Sequence, residues 1–501
     1  MLSYVTTVLA SLALYVVTGT IYRLYYHPLA RFPGPKLAAA THWYEFFHDV
    51  IKQGQFIWRI REMHEKYGPV VRITPTELHI KDTDFYDVIY APASKKRDKY
   101  DRWTAGLGAP RSALATVSHN LYRLRRSATS HFFSKRTASN AEPLICKHVE
   151  RLCGRFAAAC QTKSVLQLDA AYIALTMDII TEYSYGTSYD CLAAGDFQPR
   201  WKETILAAVS SFALTRQFPW IFPLMKATPS SILRFLIPNG KLWLEWQELM
   251  RREVDKVITN HAAGKKADGT IFQALLDSDL PAEEKEAERL QDEAQVIVAA
   301  GSETTAETLA IITFYLVRDK TRLERVRQEL STVPLQPSEG KSLLTQLEQL
   351  PYLNAVISEG LRVMHGVPTT RLPRVAHEPI KYKEWVIPPN TPISQINYFV
   401  HTDPTIFPDP LEFHPERWIA ARENNIRLDQ YLVSFGKGSR QCVGINLAYA
   451  ELFLTLATVL RRFEFENFET TVADVAVARD LFAGAPAPGS KGVRAIVTKV
   501  L

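Results

Sequence analysis

The run Phe435-Gly436-Lys437-Gly438-Ser439-Arg440-Gln441-Cys442-Val443-Gly444 decides how this chain is read. A cysteine that ligates a metal does so as thiolate, so its surroundings must stabilise negative charge without supplying a proton. Glycines leave backbone N–H groups free to point at the sulfur, and an apolar helical pattern beginning near Ile445 adds the positive end of its dipole. This loop has the chemistry of a thiolate cradle.

The other four cysteines lack such surroundings. Five in 501 residues is a small, odd number that suggests no disulfide framework, and reducing surroundings fit it better. Cys146, Cys153 and Cys160 recur every seven residues in a helical pattern, where no His or carboxylate completes a ligand set, so they read as buried small hydrophobes. A chain that is 47% hydrophobic and 22% charged has ample material for a large core. The net charge of +6 is small for this length, and with no extended basic tract and no zinc-finger spacing nucleic acid is not an expected partner.

Residues Leu2 to Tyr22 carry no charge and are long enough to span a bilayer core of about 30 Å. No positive charge beyond Met1 precedes the run, which argues for an uncleaved anchor over a signal peptide. Arg23, Arg31 and Lys36 follow it, so the positive-inside rule places the bulk of the chain in the cytosol. The absence of any Asn-x-Ser/Thr acceptor agrees with that side. Phe32-Pro33-Gly34-Pro35 then reads as a stiff hinge. The expected division is an anchor over 1–23, a Pro-rich hinge over 24–40 and one catalytic domain over 41–501.

Within that domain, Pro69 to Ile73 and Leu78 to Ile80 flank a turn at Thr74-Pro75-Thr76-Glu77 and predict a hairpin. Helical periodicity covers about 119–135, 141–160, 168–184, 241–262, 286–318, 320–331 and 443–462, and a second strand group lies near 380–398. The fold class is mainly α with a small β-sheet region.

Three further groups stand out. Glu359 and Arg362 lie three apart on one helical face and can pair. Ala300-Gly301-Ser302-Glu303-Thr304-Thr305 puts a polar cluster inside an apolar helix, where a glycine costs about 1 kcal/mol against alanine but leaves a groove. Tyr122 and Arg126, four apart, can face one anion.

The cysteine loop resembles that of the cytochrome P450 haem-thiolate monooxygenases, whose pattern Phe-x-x-Gly-x-Arg-x-Cys-x-Gly is met at every fixed position. Ordinary residue frequencies give such a match by accident with odds below roughly one in ten thousand. Pro415-Glu416-Arg417-Trp418 is similar to the family's second element. The resemblance implies a P450 fold with an N-terminal transmembrane helix, haem b on Cys442, and a structural triad of Glu359, Arg362 and Arg417. It implies that Gly444 lets the porphyrin approach, Phe435 shields the sulfur, and Arg440, Arg126, Tyr122 and Arg371 meet the propionates, with Arg374 as the fallback for Arg371. Tyr122 departs from the Trp or His usual at its place. Thr304 becomes the hydroxyl beside the oxygen site and Glu303 the neighbouring acid, both catalytic, while Thr305 bonds back to its own helix.

By the same resemblance, one oxygen atom of O2 enters an apolar small molecule, with electrons from NADPH through a separate flavoprotein reductase. The protein is expected in the endoplasmic reticulum membrane, single-pass, with its catalytic domain cytosolic. Arg123, Arg125 and Lys437 form a candidate basic patch for the acidic reductase. Leu121 to Arg126 and Phe132-Phe133-Ser134-Lys135 look most like fungal secondary-metabolism enzymes of the trichodiene-oxygenase-like group, which makes a terpenoid the first substrate and polyketides or alkaloids alternatives. The substrate pocket is expected from stretches around Trp103–Ala113, Phe212–Phe222, Val367–Thr370 and Leu481–Gly484. Rival readings are a haem-thiolate isomerase or dehydratase, which often lacks the Glu303–Thr304 pair, and a haem carrier or gas sensor, which needs no pocket.

Overall fold

The computed structural model describes residues 2–229, 232–233, 240–265, 269–334, 342–364, 366 and 370–501. The first helix, α1 (Leu2–Ile21), is apolar along its whole length and lies outside the packed body. Tyr4–Tyr26 is long and apolar enough to cross a membrane. Below it, Arg23 donates to Ala40 O at 2.8 Å, while Arg72 donates from its side chain to Arg23 O and from its backbone N–H to Pro33 O. A Cβ on Gly34 would meet Arg72 O at 2.5 Å, so this proline-flanked segment docks closely on the strand that carries Arg72.

The helices that build the body are α2 (His119–Ser130), α3 (Glu142–Thr162), α4 (Leu168–Tyr185), α5 (Arg200–Gln217), α6 (Gly240–Ala262), α7 (Ala287–Arg318), α8 (Pro351–Met364) and α9 (Ile445–Arg462). Their buried faces share one core in which α7 is central, with Leu309, Ile312 and Phe314 enclosed by residues of α4, α8 and α9. Close approach is built in at Gly360, where a Cβ would meet Ile312 at 2.2 Å. Although α7 is apolar enough to cross a membrane, it is a core helix.

The small sheet has five strands, β1 (Val70–Arg72), β2 (Leu78–Ile80), β3 (Asp98–Lys99), β4 (Arg374–Val375) and β5 (Pro392–Ser394), in the order β1-β2-β5-β4-β3. The expected hairpin is β1–β2, antiparallel with Val71 opposite His79. Strand β4 sets Arg374 opposite Lys99 on one side and Ile393 on the other. A second sheet, not foreseen in the sequence, joins Val165–Gln167, Arg494–Val500 and Phe463–Asn467.

Two boundaries differ from expectation. The helix expected over 119–135 ends at Ser130, because Phe132 and Phe133 turn into the core and the Ser134 hydroxyl caps a new helix, Lys135–Asn140. The strand group near 380–398 gives way to a short helix at Asn397–His401. All five cysteines are free, with Cys153 buried and Cys146 and Cys160 half-buried against the core; burial pushes the Cys146 thiol up to about 11.

Candidate active site

An internal cavity of about 610 Å³ lies between the cysteine loop, α7, α5 and the sheet. Cys442 is on its wall, enclosed by protein yet open to the cavity. The loop is shaped by backbone bonds, with Cys442 N donating to Phe435 O at 2.9 Å and Gly436 N to Val433 O at 2.8 Å. Gly438 has φ +72°, and a Cβ there would strike Tyr90 O at 2.1 Å, so the loop seats against residues 90–91 only with glycine. A Cβ on Gly444 would meet nothing within 4 Å. Burial raises the Cys442 thiol, opposed by the backbone N–H of Gly444 and by the charge of Arg126. These groups favour thiolate, and a cation in the cavity would complete what burial withholds.

Five cations line the same cavity: Lys99, Arg126, Arg374 and Arg440, and Lys437, which pairs with Asp87. Arg126 donates to the Tyr122 hydroxyl at 2.9 Å and to Gln441 O at 2.7 Å, and Arg440 donates to Thr116 O and Val117 O. Lys99 reaches Leu114 O, and Arg374 lies over the Tyr90 ring. Among the described residues Lys99, Arg126, Arg374 and Arg440 have no carboxylate ion-pair partner. Burial, and then Arg374, lower Arg440 to about 9; Lys99 is pushed down by burial and by both arginines. Buried like charges without a counter-ion are costly, so this cluster fits an anionic group brought in from outside, as a porphyrin with two propionates would be.

Arg371, expected among these ligands, is not on the cavity wall. It is buried between Glu77, at 3.0 and 3.1 Å, and Glu45, which already neutralise it. Arg374 takes the cavity position instead, because the β4 register turns it toward Lys99. The basic patch is also altered. Arg125 is buried in a two-bond pair with Glu284 and cannot meet a partner, Lys437 pairs with Asp87, and Arg123 alone stays exposed.

To the same lining α7 contributes Gly301, Glu303, Thr304 and Thr305. The groove expected at Gly301 is filled, since a Cβ would meet Ile180 of α4 at 2.6 Å. Back-bonding expected of Thr305 occurs at Thr304, whose hydroxyl donates to Ala300 O at 3.0 Å. That bond fixes the hydroxyl and leaves its oxygen free to accept. Glu303 has one buried oxygen, Oε2, without a hydrogen bond, and burial pushes its carboxyl up to about 7.

Behind the loop, Glu359 receives Arg362 at 2.7 and 2.9 Å, Arg417 at 3.2 Å and the Trp418 indole at 2.9 Å. Arg362 also donates to His401 O, and the His401 ring accepts from Val433 N at the start of the cysteine loop. The three residues are thus together and wired to the loop. In the cavity lining Trp103, Phe212 and Phe482 converge with ring centroids 4.9–6.0 Å apart, a grouping from three distant segments. Of the expected pocket stretches, 367–369 lie outside the described residues.

A mainly helical fold holding a loop cysteine over a cation-lined cavity defines a thiolate-anchored macrocycle site. Residues 38–480 match the Cytochrome P450 family, and the chain belongs to it. It is 42% identical to conidiogenone synthase PchP450 of Penicillium rubens over 96% of both chains. Identity to cytochrome P450 monooxygenase TRI4 of Fusarium sporotrichioides is 41%, over 94% of this chain and 90% of that one. With tryptophan 6-hydroxylase fscE of Fusarium equiseti it is 40%, over 96% and 94%. The protein is a haem-thiolate monooxygenase related to fungal secondary-metabolism enzymes.

Proposed function

We propose that this enzyme hydroxylates or epoxidises an apolar, polycyclic skeleton, a terpenoid first, with NADPH electrons delivered by a separate flavoprotein reductase. The observation that carries the reading is that Cys442 and the Glu303–Thr304 pair line one and the same largely apolar cavity. Haem b would be held by Cys442 at the iron and by Arg126, Arg374, Arg440 and Lys99 at the propionates, with Tyr122 orienting Arg126. When bound it supplies the oxygen-activating chemistry. The chain's own residues do the rest: Trp103, Phe212 and Phe482 hold apolar carbon and exclude water, and Glu303 and Thr304 supply protons. The names conidiogenone synthase and tryptophan 6-hydroxylase show that relatives take unlike substrates, and here the aromatic lining favours hydrocarbon. Polyketide and alkaloid skeletons of similar bulk are the alternatives. Comparing metabolites of a deletion strain with products formed by the purified enzyme, its reductase and NADPH tests this reading; conversion equally fast without O2 or NADPH would replace it with an isomerase.

Thr304→Ala is expected to keep the haem and bind substrate but to waste electrons. Product per NADPH should fall by roughly tenfold, within the range typical of lost proton-transfer groups, and hydrogen peroxide per NADPH should rise. Thr304→Ser should recover part of the loss, as it restores the hydroxyl. An unchanged product-to-NADPH ratio in the alanine variant removes Thr304 from proton delivery.

The apolar helix supports a single-pass anchor over residues 1–23, an endoplasmic reticulum location, and a hinge over 24–40 leading to a cytosolic catalytic domain over 41–501. Deleting residues 1–22 should release the protein from membranes with its haem spectrum intact. If the truncated protein still resists alkaline carbonate extraction, the main attachment lies elsewhere.

A further inference from the structure

Glu303 has an acidic neighbour on the same helix. Glu307 lies one turn further along α7, and the four-residue spacing puts both carboxylates on one face. Neither has an ion-pair or hydrogen-bond partner among the described residues, and Oε2 of Glu303 is fully buried without one. Both side chains are half-buried, so neither is sealed in the core. Glu303 lines the main cavity and Glu307 does not. Lys202 of α5 and Asp169 in the first turn of α4 form a partly exposed ion pair, close enough for both charges to act on Glu303 and on Glu307.

We propose that Glu307 is a proton-relay residue, the second carboxyl of an inlet running from the Lys202–Asp169 pair through Glu307 to Glu303 and Thr304. The proposal rests on the monooxygenase reading. One turnover, RH + O2 + 2 e⁻ + 2 H⁺ → ROH + H2O, takes its electrons from the NADPH reductase and must draw two protons from bulk water. Each passes from the Glu307 carboxyl to the Glu303 carboxylate as that group gives up its own, and water at the Lys202 end reprotonates Glu307. Glu307 acts through Glu303 and touches neither substrate nor cofactor.

The charge environment supports such a chain. Glu303 is pushed up to about 7, chiefly by burial, and Glu307 up to about 8, by burial and then by the Glu303 charge; in both values Lys202 acts against the rise and Asp169 with it. Each group therefore holds a proton below those values and loses it as pH rises through them. Two carboxyls this closely matched exchange a proton readily in either direction.

The test uses the full chain with haem, reductase and NADPH, reading O2 uptake against pH together with the infrared band of protonated carboxyl groups. It needs no identified substrate, because without one the uptake read is O2 + 2 e⁻ + 2 H⁺ → H2O2, which takes its electrons from the same reductase and draws the same two protons. In the parent protein uptake should fall, and the band fade, as pH rises through about 7 to 8. Glu307→Gln should slow uptake by roughly tenfold, flatten that pH dependence and remove part of the band, and Glu307→Asp should restore part of both. A glutamine variant with the parent's rate and pH profile overturns the relay. Should that variant fail to hold haem, Lys202→Met decides: losing the cation must move the fall in uptake to higher pH, and an unmoved profile overturns the proposal. A parent protein with no NADPH-supported O2 uptake sinks the monooxygenase reading itself, a result distinct from a parent that turns over with a flat pH profile, which sinks the relay alone.

Discussion

Replacing Cys442 with histidine abolishes the strongly red-shifted Soret band expected of the reduced parent protein under carbon monoxide. The band depends on thiolate ligation, and Cys442 is the one cysteine on the wall of the cation-lined cavity. Cys153 and Cys191 are buried in packed core, where burial pushes the Cys153 thiol up to about 12 and Cys191 higher still. Neither can substitute. Cys442 differs because the Gly444 N–H and the Arg126 charge oppose the cost of burial, and because the loop glycines keep its surroundings open. A neutral imidazole in that position leaves a haem protein with an ordinary Soret band, or none if the larger ring blocks loading. Both outcomes are total losses of the thiolate signal. Its retention in Cys442→His would assign the ligand to another residue and undo the site described above.

What could be read from the sequence was local or rigidly ordered. The cysteine loop carries its chemistry in ten consecutive residues, and Glu359–Arg362 lie on one helix turn, so neither needs long-range geometry to be seen. The long helices were legible because each keeps one apolar face over several turns, and α7 also because its polar cluster interrupts an apolar run. Lys99 was not legible. It follows Lys95, Lys96 and Arg97 in what looks like a solvated charge run, and only pairing with β4, some 275 residues later (374 − 99), turns it inward. The choice between Arg371 and Arg374 failed for the same reason, since the carboxylates that claim Arg371 come from Glu45 and Glu77 near the other end of the chain. Arg125 looked like a surface charge beside Arg123, and Glu284 removes it from the surface. Gly301 misled differently: an absent side chain reads as free space in a sequence, but in a packed core a neighbour such as Ile180 takes it.

Glu359→Gln is expected to lower the unfolding free energy by about 3–5 kcal/mol, the cost of leaving buried charges without their partner. Glutamine keeps the shape and some hydrogen bonding, so the loss isolates the charge. Arg362 and Arg417 are both buried, and their other hydrogen bonds go to backbone carbonyls of residues 401, 408, 409, 410 and 412, which do not neutralise them. Strain at this point also travels. Arg362 holds His401 through its carbonyl, His401 holds Val433, and the Ser434 hydroxyl bonds to Leu361 O, so a displaced Arg362 loosens the chain just before Phe435. Haem retention should therefore fall along with stability, even though none of the three triad residues lines the cavity. Arg417→Lys gives the graded comparison: it keeps the charge facing Glu359 but loses the bond to Pro408 O, and should cost roughly 1–2 kcal/mol. Urea unfolding and haem content of the purified variants measure both effects. A Glu359→Gln protein within about 1 kcal/mol of the parent would mean that the pair behaves as a solvated surface bridge, and the triad would then have no part in holding the cysteine loop.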